Sequence, residues 1–148
     1  MSMIQKIDQD LKAAMIARDE TKVSTLRFLK SAIKYSAIEK KVDMLVDADI
    51  QQVIQKQVKQ RKESIEQFEK NSRADLADKE IAEARILESY LPKQMGDADL
   101  AAAVAAEVKA QGASSKKDFG RMMKHMGEKL QGQADSRRIS EALGKFLQ

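Results

Sequence analysis

The strongest chemical signal in the chain is a run of cations: Lys116, Lys117, Arg121, Lys124 and Lys129, followed by Arg137 and Arg138. Lys117, Arg121 and Lys124 are spaced i, i+4 and i+7, which sets them on one side of a helix, beside or opposite a stripe of Phe119, Met122, Met123 and Met126. A row of positive charges at that pitch suits a phosphate backbone, and Gly120 and Gly127 would let another chain come close. No aromatic platform is interleaved with the row, so recognition of backbone or shape is expected rather than base stacking. An ordinary solvated basic face has the same appearance.

Other reagents are scarce. The chain has one histidine, His125, and no cysteine. It has no HExxH, no glycine-rich phosphate loop and no GxSxG elbow. His125 lies among methionines where a helix passes from core to surface, the setting of a boundary residue rather than a base or ligand. Neither a metal site nor a cofactor site is expected. Asp75, Asp78, Glu80 and Glu83 are close in sequence, but their helical angles scatter them, and Asp75 is placed to face the positive end of a helix. No catalytic residue is assigned.

The elements that must carry these residues are helical. With one Pro, six Gly and few aromatics, and with no alternating β-branched run, the chain reads as all-α. Met3, Ile4, Ile7, Leu11, Ala14 and Met15 mark a first helix. Asp19 caps a second, with Val23, Leu26, Leu29, Lys30, Ile33 and Ala37 as its stripe and Lys22, Arg27, Lys30 and Lys34 as a solvated basic face. Asp47 or Asp49 caps a third over roughly 48–71, whose seam Ile50, Ile54, Val58, Arg61, Ile65 and Phe68 is interrupted by an arginine. Ser72 with Asp75 forms a capping box for a fourth, which buries Leu76, Ile81, Ala84, Leu87 and Leu91 and leaves Arg85 and Glu88 wet.

Pro92, the only proline, then divides the chain. Beyond it Gly96 to Asp99 supply a break and a cap, Leu100, Val104 and Val108 lead to a stop at Gly112, and Ser114 or Ser115 caps a helix that Gly127 ends. Asp135 caps the last, with Ile139, Leu143, Phe146 and Leu147 inward. The expected architecture is an N-terminal bundle of about four helices over 1–91 and a small three-helix tail over 92–148, with Tyr90-Leu91-Pro92 as a hinge. The net charge of +4 is uneven: 1–91 holds 17 basic and 16 acidic side chains, 92–148 holds 10 and 7. A basic tail points to an anionic partner, nucleic acid first. With no cysteine and no long uncharged run, a cytoplasmic protein with no membrane partner is expected.

The sequence also resembles the GatB/YqeY family, above all its short stand-alone YqeY-like members. The resemblance is carried by Leu26-Arg27, by Gln60 to Ile65 with Phe68, by Arg73, Asp75 and Leu76 with Lys79 and Glu80, and by Tyr90, Leu91 and Pro92. It continues through Lys117 to Lys124 and Gly132 to Asp135. Ser72 stands where the family usually has glycine. Gln133 and Ser136 stand where it usually has a basic residue and a glycine. The resemblance implies a fold like the C-terminal helical and tail region of the tRNA-dependent amidotransferase B subunit. It further implies a tRNA- or aminoacyl-tRNA-associated module without its own catalytic site, whose partners are tRNA and a component of an amidotransferase or an aminoacyl-tRNA synthetase. It also carries the label of a carbon–nitrogen ligase with glutamine as amido donor, for which the chain shows no reagents; an accessory subunit of such an enzyme and a protein-interaction module are the alternatives.

Overall fold

The computed structural model describes residues 1–147. The chain is all-α: α1 (Met3–Ala17), α2 (Glu20–Glu39), α3 (Asp47–Lys70), α4 (Ala74–Glu88), α5 (Asp97–Ala110), a 3-10 turn (Lys116–Asp118), α6 (Phe119–Lys129) and α7 (Ser136–Phe146), with no strand among the described residues. Contacts divide it into two compact units, Met1–Leu91 and Pro92–Gln148.

In the first unit α3 and α4 form the most extensive helix pair, and α1 and α2 close over it. Ile7, Leu26, Leu29, Ile50, Ile54 and Leu87 are its largest fully buried side chains. Each removes about 1.5–3 kcal/mol worth of apolar surface from water. The α4 stripe differs from expectation: Ala77, Glu83, Ala84 and Leu87 are buried, whereas Leu76, Ile81, Leu91 and Glu88 are half-buried and Arg85 is exposed. The α3 seam is buried at Ile50, Ile54, Gln57 and Val58 and half-buried beyond. The arginine that interrupts it explains both departures. Arg61 turns toward α4, where its Nη1 meets Glu83 and, at 3.1 Å, Glu80 Oε2. A buried carboxylate needs such a partner, and with Arg61 supplying it Glu83 joins the buried face although it lay outside the expected stripe.

Helix starts follow local chemistry only in part. Asp19 and Asp135 cap α2 and α7 by accepting from the N–H of Lys22 and Arg138. Ser2 and Gln5 form a capping box on α1. Three expected caps do not form. The N-caps of α3, α4 and α5 are Val46, Arg73 and Gly96, none with a side-chain cap bond. Asp47, Asp49, Asp75, Asp97 and Asp99 lie instead inside the first turns, where they oppose the positive helix end without capping it.

Helix ends are more uniform. At Arg18, Lys41, Ser72 and Gly112 the backbone turns left-handed (φ +58°, +57°, +57° and +65°). The pair of bonds closing α5 is Gly112 N to Lys109 O and Ala113 N to Val108 O, and the same pairing recurs at the other three ends. The Ser72 position is thus one that favours glycine, and this conformation takes it out of reach of a cap.

The second unit packs α5, α6 and α7 around Val104, Met122, Met126, Leu143 and Leu147. Gly127 does not stop α6, which runs on to Lys129. Phe146 is exposed and Leu147 takes its expected place in the core, because the chain leaves α7 in an extended conformation and swings the next side chain inward. Three contacts pin the start of this unit to the approach to α7: Gln94 Nε2 to Gly132 O (2.6 Å), Met95 N to Gln133 O (2.9 Å) and Arg138 Nη2 to Met95 O (2.7 Å).

Candidate nucleic-acid interface

All seven cations fall within the second unit, but the structure divides them. Arg121 reaches back to Asp118 Oδ1 (3.3 Å) and the Gln111 carbonyl (3.4 Å). Lys129 binds Glu107. Arg137 pairs with Glu141 (3.3 Å), and Arg138 spans from Met95 O to Asp97 Oδ1 (3.0 Å). Lys116, Lys117 and Lys124 are exposed and have no ion-pair partner among the described residues. Of the seven, the free ones thus lie on the 3-10 turn and the first two turns of α6; Lys93, Lys109 and Lys145 of the same unit are likewise exposed without an ion-pair partner among the described residues. Glu128 lies four residues after Lys124 on the same helix face.

Local chemistry explains why the turn forms there. The Asp118 carboxylate accepts from the N–H of Ser114 (3.0 Å) and Ser115 (3.5 Å), donors that the coming helix leaves without partners. Ser115 is the N-cap of this turn, as expected, and forms a capping box with Asp118, whose carboxylate also reaches Ser114. The Ser114 bond, followed by Arg121 and then the Ser115 bond, lowers the Asp118 pKa. A Cβ added at Gly120 or Gly127 would meet nothing within 4 Å, so this side of α6 is open.

Glu107 is the residue that the cation pattern hid. On α5 it receives Lys129, while His125 Nε2 lies 2.7 Å from its other oxygen. An ionised carboxylate only accepts, so Nε2 carries the proton in this bond. The bond to Lys129 and then that to His125 lower the Glu107 pKa. The cluster ties α5 to α6, and only a pairing across 18 or 22 positions could have revealed it.

The motif residues Arg73, Asp75, Leu76, Glu80, Tyr90 and Leu91 of the first unit, and Pro92 that opens the second, have the following surroundings. Arg73 grips the Asp75 carboxylate through Nε (3.2 Å) and Nη2 (3.3 Å), which raises the arginine's pKa and lowers the aspartate's. Glu80 belongs to the Arg61 pair, and Leu76, Leu91 and Pro92 are half-buried. Tyr90 is buried with its hydroxyl on Asp10 and Lys6 Nζ 5.7 Å from its ring centre. Among the described residues no group of three or more His, Asp or Glu is placed to hold a metal ion, and no helix is long and apolar enough to cross a membrane.

Comparison with known proteins identifies a family and several relatives. A family model described as Yqey-like protein matches residues 4–147. The chain is 42% identical over 87 residues to the Kluyveromyces lactis protein named Altered inheritance of mitochondria protein 41, mitochondrial, which is 59% of this chain and 47% of that one. To the Lachancea thermotolerans protein of the same name it is 37% identical over 91 residues, 62% of this chain and 49% of the relative. A Schizosaccharomyces pombe protein named only as uncharacterized is 37% identical over 87 residues, 59% of this chain and 70% of its own length. The chain spans about half the length of the mitochondrial relatives it matches. Their names overturn the cytoplasmic expectation: the absence of cysteine and of a long uncharged run does not by itself identify a compartment. By the extent of the family match, this chain belongs to the Yqey-like protein family.

Proposed function

We propose that the chain is a tRNA- or aminoacyl-tRNA-associated helical module. Its 92–148 unit meets the phosphate backbone through Lys116, Lys117 and Lys124, while Arg121, Lys129, Arg137 and Arg138 contribute only where a phosphate displaces the carboxylate each is paired with. The observation that supports this reading is the set of three exposed lysines left without acidic partners beside an open helix face. Holding an RNA requires no catalytic group. A partner, an amidotransferase or aminoacyl-tRNA synthetase component, would supply any chemistry.

Titration with tRNA across salt concentrations tests it. Three phosphate contacts give a slope of about −2 to −3 for log K against log salt. Lys116→Glu, Lys117→Glu and Lys124→Glu together should abolish that slope with helix content unchanged. Salt-independent binding, or binding unaffected by the triple change, overturns the proposal. Ammonia release from glutamine by the purified chain alone would overturn its non-catalytic half.

A further inference from the structure

On α2, Ser24, Phe28, Ser31, Tyr35 and Ile38 form a continuous outward row spaced four, three, four and three apart. Phe28, Tyr35 and Ile38 are 61%, 65% and 65% exposed. Val42, Met44 and Val46 beyond the helix are exposed too, Val42 and Met44 lining a groove with Ile38, and at the other end Met15 of α1 lines a depression with Phe28. The groove measures about 500 Å³, with Ile4 and Leu45 at its floor. An apolar surface of this extent marks an interaction site.

Charge selects the occupant. From Thr21 to Ile38, α2 contains no acid and four cations, Lys22, Arg27, Lys30 and Lys34. Lys30 is neutralised by Asp8 at 2.6 Å. Arg27 and Lys34, seven residues apart, form a rail along one flank of the row, and Lys41 follows just past the helix end. None of these three has an ion-pair partner among the described residues, and the one side-chain hydrogen bond of Arg27 among them runs to Met15 Sδ, at 4.0 Å. An antiparallel two-fold pairing of α2 with a second copy would set each rail against itself. Nucleic acid would satisfy the rail but leave Ile38, Val42, Met44 and Val46 uncovered.

We propose that this face docks an acidic amphipathic helix of another protein, its apolar side on Phe28, Tyr35 and Ile38 and its carboxylates along Arg27, Lys34 and Lys41. The test is a display selection against the full chain. The library consists of helices of about 18 residues, about five turns, with leucine fixed at i, i+3, i+4 and i+7 and a free choice of Glu or Lys on the flanks. Enrichment of Glu on one flank is expected. The selected peptide, measured by fluorescence anisotropy, should bind about tenfold or more weaker to Tyr35→Asp with Ile38→Asp. A second selection, on Arg27→Glu with Lys34→Glu, should turn to Lys. No enrichment, enrichment without charge bias, or binding untouched by the Tyr35 and Ile38 changes overturns the proposal. So does a dimer in sedimentation, or a bound 20-mer of polyadenylate, that the same two changes abolish.

Discussion

Tyr90 donates its hydroxyl to Asp10 Oδ2 at 2.5 Å, closing a loop of 80 residues between the end of α4 and the middle of α1. Burial of the ring, followed by the adjacent carboxylate, raises the phenol's pKa. Tyr90→Phe keeps the ring under Lys6 and removes only the hydroxyl. A loss of about 1–2 kcal/mol in urea unfolding is expected. Because the folded pKa lies above the ordinary 10.0, the bond's contribution is present below that pH and fades as pH climbs above it. Wild type should therefore lose stability more steeply than Tyr90→Phe in alkali; parallel curves would show that the hydroxyl contributes nothing.

The pair on α3 and α4 gives the largest expected effect. Arg61 and Glu83 side chains are only 13% and 10% exposed. Arg61→Ala strands the Glu83 carboxylate, with Glu80 beside it, and should cost about 3–5 kcal/mol, whereas Arg61→Met with Glu83→Leu and Glu80→Gln, which leaves neither acid charged, should fall within about 1 kcal/mol of wild type or exceed it. Chemical denaturation of both variants separates a stranded charge from a pair that is stabilising in itself.

Glu107 predicts an acid-sensitive tail. Its folded pKa is depressed, so its contribution is present above the ordinary 4.5 and lost as pH falls through the folded value. Glu107→Gln should melt below wild type at pH 7 and show a flatter decline in acid. The same change releases Lys129 and should tighten tRNA binding at low salt. Weaker binding would mean that Lys129 works only while held by Glu107.

Glycines separate by conformation rather than by space. Gly112→Ala meets no atom within 4 Å but must hold φ near +65°, and should cost about 1 kcal/mol. Gly120→Ala and Gly127→Ala, equally unobstructed and helical, should each stabilise by up to about 1 kcal/mol. Ser72→Gly, which relieves a left-handed serine, should stabilise by about 0.5 kcal/mol once the greater freedom of the unfolded chain is subtracted. Thermal melts rank all four.

Local rules made much of this fold legible. Asp19, Asp135 and Gly112 do what their residue types and positions imply, and the apolar periodicity marks every helix. The failures are those where two local roles compete. Acids in the first turn of α3, α4 and α5 oppose the helix dipole without capping, and Ser72 serves the end of α3 instead of the start of α4. The candidate interface was legible as a set of cations but not as a set of free ones. Which cations are neutralised depends on Glu107 and Asp97, brought near by packing, and on which of several neighbouring acids a flexible side chain reaches. The exposed apolar row of α2 lay between buried positions of the same helix, and only the burial pattern of the assembled bundle separates the two.

The clasp at residues 94–95 has a mechanical meaning. Traction applied at Pro92 does not reach α5 alone; it loads the bonds from Gln94 to Gly132, from Met95 to Gln133 and from Arg138 to Met95 side by side. The tail thus resists being peeled from its leading end: its first and last helices share the load, and α5 cannot be drawn off until its grip on the approach to α7 is broken.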